Sequence, residues 1–253
     1  MTGVGILEKK KTKNTMAARL IIIALSIVML FAGTLTSYTL SVYHVPPLND
    51  CDLEERGIRN ADKLMIVAHP DDDMLWGGAH LMEKGYFVVV VTNRYNAKRK
   101  QEFYNVLKAS GNNGIMLSYP DKTYGRKDSW KHNRDGIRSD LEKIMNYQHW
   151  DLIVTHNKDG EYGHIHHKMT SRFVTDIFEA NKEKLATNLY FFGTYHEKYK
   201  IGSLENVMPR ITDEQLAFKE EMLSLYKSQE KTIAMFSHMN PFENWELYAG
   251  TDV

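Results

Sequence analysis

A single cysteine in 253 residues, Cys51, excludes an intrachain disulfide and a thiolate zinc site. The fold must then stand on its apolar core, and any metal must rest on histidine and carboxylate. Charge of one sign is also lacking. The 32 basic and 32 acidic side chains give a formal charge of zero, so no broad basic surface for nucleic acid is expected. The P-loop, the G-x-G-x-x-G fingerprint, the G-x-S-x-G elbow and the H-E-x-x-H helix are all missing. There is no internal repeat and no low-complexity tract. The composition, 43% hydrophobic and 25% charged, is that of a globular domain.

What the chain does contain begins with an apolar run. Residues 20–43 carry no charged side chain, and residues 20–31 are almost purely aliphatic. A helix needs roughly 20 residues to cross the hydrocarbon layer, so residues 20–40 are predicted to form a transmembrane signal-anchor helix. Lys9, Lys10, Lys11, Lys13 and Arg19 precede it, whereas Asp50, Asp52, Glu54 and Glu55 follow. By the positive-inside rule, residues 1–19 form a cytoplasmic basic tail and the rest of the chain lies across the membrane. A cleaved signal peptide and a buried core helix are the competing readings. Residues 41–60, with Pro46-Pro47 and mixed charges, read as a linker in which Cys51 is an ordinary thiol, and residues 61–253 read as one globular domain.

Within that domain, residues 63–68, 86–92, 115–117, 151–155 and 189–192 read as strands. Residues 77–84, 97–110, 134–147 and 213–229 read as helices. The alternation predicts an α/β, Rossmann-like, mostly parallel sheet flanked by helices and preceded by the membrane helix. Ligands of such sheets sit at the carboxyl ends of the strands. Two polar clusters lie there: His69-Pro70-Asp71-Asp72-Asp73 after the first strand, and residues 156–167, with His164, His166 and His167, after the strand 151–155.

Taken alone, the first cluster fits a helix cap and the second a set of solvated or core histidines. Taken together, they offer His and carboxylate donors from separate segments, the recipe for a catalytic zinc site. Such an ion lowers the pKa of its water towards ~7 and polarises a carbonyl. A nearby carboxylate can take the proton, and a histidine can support the oxyanion.

Ala68-His69-Pro70-Asp71-Asp72-Asp73 resembles the A-H-P-D-D-E signature of the PIG-L/LmbE-like N-acetylglucosaminyl deacetylases. Gly163-His164-Ile165-His166-His167 resembles that family's G-H-P-D-H segment. Arg99, Glu102, Tyr119-Pro120-Asp121, Thr155-His156 and Ser228-Gln229 are smaller echoes. The resemblance implies an LmbE-like fold, a Zn²⁺ cofactor on His69, Asp72 and His167, Asp71 as general base, and His164 stabilising the oxyanion or protonating the amine. It also implies an N-acetylated sugar or polysaccharide as substrate, with Tyr162, Arg94 and Asp121 as candidate substrate contacts.

Three positions depart from the pattern: Asp73 replaces Glu, Ile165 replaces Pro, and His166 replaces an Asp that could orient His164. Asp159 and Glu161 are candidates to take over that last role. Two alternatives stand beside the deacetylase. One is a membrane-anchored glycosyltransferase using Mn²⁺, which leaves the histidines unexplained because such sites prefer oxygen donors. The other is a non-catalytic carbohydrate-binding relative.

Overall fold

The computed structural model describes residues 4–250 and divides them into two units at His44/Val45. The first is essentially one helix, α1 (Val4–Tyr43). Its stretch Met16–Leu40 has a mean hydropathy of 2.3 and none of it is buried, so no protein covers the apolar side chains. A soluble core helix would be covered. Length and composition suit a membrane span, or a signal sequence near the N-terminus.

The second unit opens with α2 (Asp50–Glu55), capped by Asn49 and Asp52 in a reciprocal capping box. Leu48, Leu53 and Ile58 are buried in the core, and the Leu48 amide donates to the Asp140 carboxylate at 3.0 Å. The stretch expected as a linker up to residue 60 therefore packs with the domain from about Leu48 onward. There follow β1 (Lys63–Val67), α3 (Asp72–Leu81), β2 (Tyr86–Thr92), α4 (Ala97–Ser110) and β3 (Asn113–Tyr119). A hairpin of β4 (Lys122–Thr123) and β5 (Arg126–Lys127) leads to α5 (Arg134–Met145), β6 (Trp150–Thr155), α6 (Gly160–Gly163), α7 (Ile165–Leu185) and β7 (Ala186–Phe192). The chain ends with α8 (Ile201–Leu204), α9 (Asp213–Leu223), α10 (Glu230–Phe236) and β8 (Trp245–Leu247).

The main sheet has the order β3-β2-β1-β6-β7-β8, parallel except for β8. This is the expected mostly parallel α/β sheet. Its strands are buried on both faces, and the two-residue period sorts their side chains. Leu64, Ile66, Phe87 and Val89 face α5 and α7 in one core cluster; Met65, Val67, Val88 and Val90 face α3, α4 and α9 in the other. Each such side chain contributes about 1.5–3 kcal/mol by leaving water.

Two helices depart from their expected limits by more than two residues. The one expected at residues 77–84 begins at Asp72, because Asp72 and Asp73 suit the positive end of the helix dipole. The one expected at residues 213–229 stops at Leu223, and the Glu102 carboxylate then takes both the backbone N–H and the hydroxyl of Ser228. The long α7 was not anticipated.

Strand order reverses between β1 and β6, which are hydrogen-bonded neighbours. Their carboxyl ends form the crevice where open α/β sheets bind ligands. Both polar clusters leave the sheet there.

Candidate active site

Where β1 ends, Ala68 is held on three sides. Its N–H donates to His156 Nε2 at 2.9 Å, and its carbonyl accepts from the Thr92 amide and hydroxyl at 3.2 and 2.8 Å. Asp71 then adopts φ 116°, a conformation costly for any residue with a side chain. Arg99 on α4 holds it there, donating from one guanidinium nitrogen to the Pro70 carbonyl and to Asp71 Oδ1, the latter at 2.7 Å. Asp72, the first residue of α3, turns its Oδ2 back to accept the His69 amide at 2.8 Å.

The second cluster has its own scaffold. Asn157 Oδ1 accepts the amides of Asp159 and Glu161 at 3.0 and 3.1 Å, which folds the chain sharply after β6. Gly160, Glu161 and Gly163 all have positive φ. The turn brings Glu161 underneath two histidines. Its Oε2 accepts from His156 Nδ1 at 3.0 Å and from His167 Nδ1 at 2.5 Å.

The clusters meet at Asp72 Oδ2. His69 Nδ1 lies 3.2 Å from it, His167 Nε2 3.3 Å and His156 Nε2 3.5 Å. The ligand atoms of His69, Asp72 and His167 all fall within 4.8 Å of one another. His167 gives its Nδ1 proton to Glu161, so its Nε2 is a lone pair, buried and without a hydrogen-bond partner, facing a carboxylate oxygen. His156 Nε2 likewise accepts the Ala68 N–H and carries no proton. Burial opposes charge on His156, yet the Glu161 and Asp72 carboxylates outweigh it and raise the ring to about 9. A positive charge is thus favoured where the hydrogen bonds require neutral rings. A cation on the lone pairs meets both demands, so the residues present fit a divalent metal with imidazole and carboxylate ligands.

The neighbouring groups are tuned as sharply. Burial, opposed by Arg99 and reinforced by Asp72, raises Asp71 to about 7. Burial likewise raises Asp73 to about 6, although the Tyr226 hydroxyl donates to both its oxygens. Burial and the nearby His69 and His167 hold His164 down to about 2, a neutral ring whose Nδ1 accepts the His166 amide at 3.3 Å. Burial holds His166 down to about 4.

Residues 64–178 match the sequence profile of the PIG-L family, described as GlcNAc-PI de-N-acetylase. That segment of the chain is thus similar to the PIG-L family. A protein of Acanthamoeba polyphaga mimivirus is 28% identical over 190 residues, covering 68% of this chain and 74% of its own length. Among solved structures, a deacetylase of the teicoplanin biosynthesis pathway aligns with a TM-score of 0.57 at 15% identity, over 76% of this chain and 100% of its own. The N,N'-diacetylchitobiose deacetylase of Pyrococcus horikoshii aligns with a TM-score of 0.53 at 12% identity, over 84% and 92%. At those identities the likeness is one of fold.

Not every candidate residue reaches the centre of the site. His164 stands edge-on to His69 with ring centroids 4.8 Å apart. Tyr162, 40% exposed, lies 5.4 Å from the His167 ring and packs on Phe236. Asp121 Oδ1 lies 3.5 Å from His69 Nε2. Arg94 instead lines a cleft with Val45, Pro46, Asn49 and Asp140. Glu161, a candidate partner for His164, is bonded to His156 and His167 instead, and His164 Nδ1 accepts from the backbone amide of His166. The support given by Arg99 and Glu161 was not read from the sequence. The only hint of Glu161's burial was its place between Gly160 and Gly163, a spacing typical of a tight turn.

Proposed function

We propose that this protein is a zinc-dependent deacetylase that hydrolyses the N-acetyl group of a GlcNAc-containing glycan or glycoconjugate. The observation that carries the reading is the convergence of His69 Nδ1 and the unpartnered His167 Nε2 on Asp72 Oδ2, beside Asp71. His69, Asp72 and His167 would hold the zinc. When bound, zinc supplies a water of lowered pKa and a Lewis acid for the amide carbonyl.

The chain's own residues supply the remainder. Arg99 fixes Asp71 through Oδ1, which leaves Oδ2 to take a proton from the attacking water. Because His164 Nδ1 accepts an amide proton, its ring carries hydrogen on Nε2 and can donate to the oxyanion. The proton held by Asp71 then passes to the departing sugar amine, and acetate leaves. Asp121, 3.5 Å from His69 Nε2, and the exposed Tyr162 would be the substrate contacts on this reading.

The family description and the named activities of the structural neighbours support an N-acetylated sugar. The imidazole-rich ligand set disfavours the Mn²⁺ transferase. We place the N-terminus in the cytoplasm and the domain outside it, because Lys9–Lys13 and Arg19 precede the apolar helix and acidic residues follow. Envelope or exported glycans are then the accessible substrates. The test is acetate release by the full chain in detergent, from N-acetylated mono- and oligosaccharides, with zinc and after chelation. Release that needs zinc supports the proposal. Sugar transfer without acetate would overturn it.

A further inference from the structure

His166 occupies the position at which the sequence departs most from the family it resembles, and its surroundings assign it a different task. It is the second residue of α7 and has no exposed surface. Its ring lies flat on the Trp130 indole, with centroids 4.3 Å apart and planes 2° from parallel. Nε2 lies 2.7 Å from the Asp128 backbone oxygen, which can only accept, so Nε2 carries the proton. A neutral imidazole then presents Nδ1 as a lone pair, and burial against an indole favours the neutral ring.

That lone pair lies 3.0 Å from His69 Nε2. Asp121 Oδ1 is 3.5 Å from the same nitrogen, so His166 is the nearer acceptor. His69 Nε2 therefore donates, and in the neutral ring that a metal ligand requires, Nδ1 then carries no proton. Nδ1 is the atom 3.2 Å from Asp72 Oδ2. We infer that His166 is a positioning residue: a hydrogen-bonded chain from His69 through His166 to the Asp128 carbonyl fixes the tautomer of His69 and so presents Nδ1 to the metal.

The anchor of that chain is well held. The Asp128 amide donates to the Asp121 carbonyl at 2.9 Å, closing the β4–β5 hairpin. Its carboxylate accepts from the Thr123 hydroxyl and the Trp130 amide, each at 2.6 Å. The ligand His69 on the β1 turn is thereby tied to a hairpin more than fifty residues further along. On this account the histidine at 166 is no decayed aspartate. An aspartate there would be acceptor-only and could not donate to the Asp128 carbonyl, so the imidazole performs two tasks that a carboxylate cannot combine.

The inference rests on the metal-site reading above, and one experiment separates the two. Zinc affinity of the full chain in detergent is measured by chelator competition for wild type, H166F and H166N. Nitrogen NMR of histidine-labelled wild type reports the His69 tautomer. The expected results are one zinc per wild-type chain, about 10–100-fold weaker binding in H166F, and substantial rescue in H166N, whose amide oxygen restores an acceptor. His69 in the zinc-loaded protein should carry hydrogen on Nε2. The thermal midpoint of metal-free H166F should match metal-free wild type, which separates loss of positioning from loss of fold. Wild-type affinity in H166F would overturn the inference. Hydrogen on His69 Nδ1 in the zinc-loaded wild type would overturn it even if H166F failed to fold. A wild type that binds no zinc would overturn both readings.

Discussion

Asp71 carries two burdens at once, an unfavourable backbone angle and a buried carboxylate beside another. Arg99 relieves both by bonding the side chain and the preceding carbonyl. Asparagine tolerates positive φ well and keeps the shape of the side chain, so Asp71→Asn leaves the turn intact and removes only the base. The expected outcome is unchanged zinc content with acetate release lower by about 10²–10⁴-fold, read from metal analysis and initial rates on the same preparation. Full activity would remove Asp71 from the mechanism. At this scale the sequence singled out candidate ligands and was poor about their partners. His69, Asp72 and His167 stood out because chemistry-bearing residues sat at fixed spacing in two motifs. Arg94 and Glu161 went to other places than expected, because partner choice depends on the tight turn at residues 157–163 and on which strand end a loop leaves, neither of which a motif encodes.

Elements were legible wherever apolar period or capping was local. β2 and α4 have their expected limits, the latter closed by Gly111 at φ 75°. The segment from Leu48 to Ile58 was not legible, because its three buried apolar residues are separated by charged ones and follow Pro46-Pro47. The start of α7 was hidden because its first turn bears histidines for the site and its apolar stripe begins only near Phe173. Close strand packing was equally silent. A Cβ on Gly114 in β3 would lie 2.3 Å from the Val88 carbonyl oxygen of β2. Gly114→Ala should therefore cost about 1–3 kcal/mol by forcing the strands apart, measured by urea unfolding, and an unchanged midpoint would contradict that contact.

Another element-level lock joins α3, α9 and the loop before β8. Glu243 accepts from the amides of Ala79 and His80 at 3.0 Å each, and pairs with buried Lys219 at 2.8 Å. Burial opposes its charge, but Lys219 and His80 prevail and lower it from the ordinary 4.5 to about 2. A depressed folded value means that this stabilisation is complete above about pH 4.5 and fades as pH falls towards 2. It amounts to at most about 3 kcal/mol. Glu243→Gln should flatten the fall of unfolding free energy across that window relative to wild type. Parallel curves would show that the carboxylate is not held charged in the fold.

At the scale of the whole molecule, the zero net charge conceals an uneven distribution: Lys9–Lys13 and Arg19 before the apolar helix, a cluster of acids after it. On the proposed function, that asymmetry sets which side of the membrane the domain faces and so which glycans are candidates. The single exposed cysteine makes the orientation measurable without altering the chain, because Cys51 lies in α2, just beyond α1. With the domain outside the cytoplasm, a membrane-impermeant maleimide added to intact expressing cells should label Cys51 fully, and permeabilisation should add nothing. Labelling only after permeabilisation would put the domain in the cytoplasm and shift the substrate class to intracellular glycosides and lipid-linked GlcNAc. The labelled band also decides the fate of the helix. A membrane-bound species of full-length mass means an anchor, whereas a shortened, released species means a cleaved signal, for which the exposed apolar face of α1 was only transient. If the species is anchored and labelled from outside, the metal crevice works at a membrane surface, and the acetate-release assay belongs on surface-displayed glycans before soluble sugars.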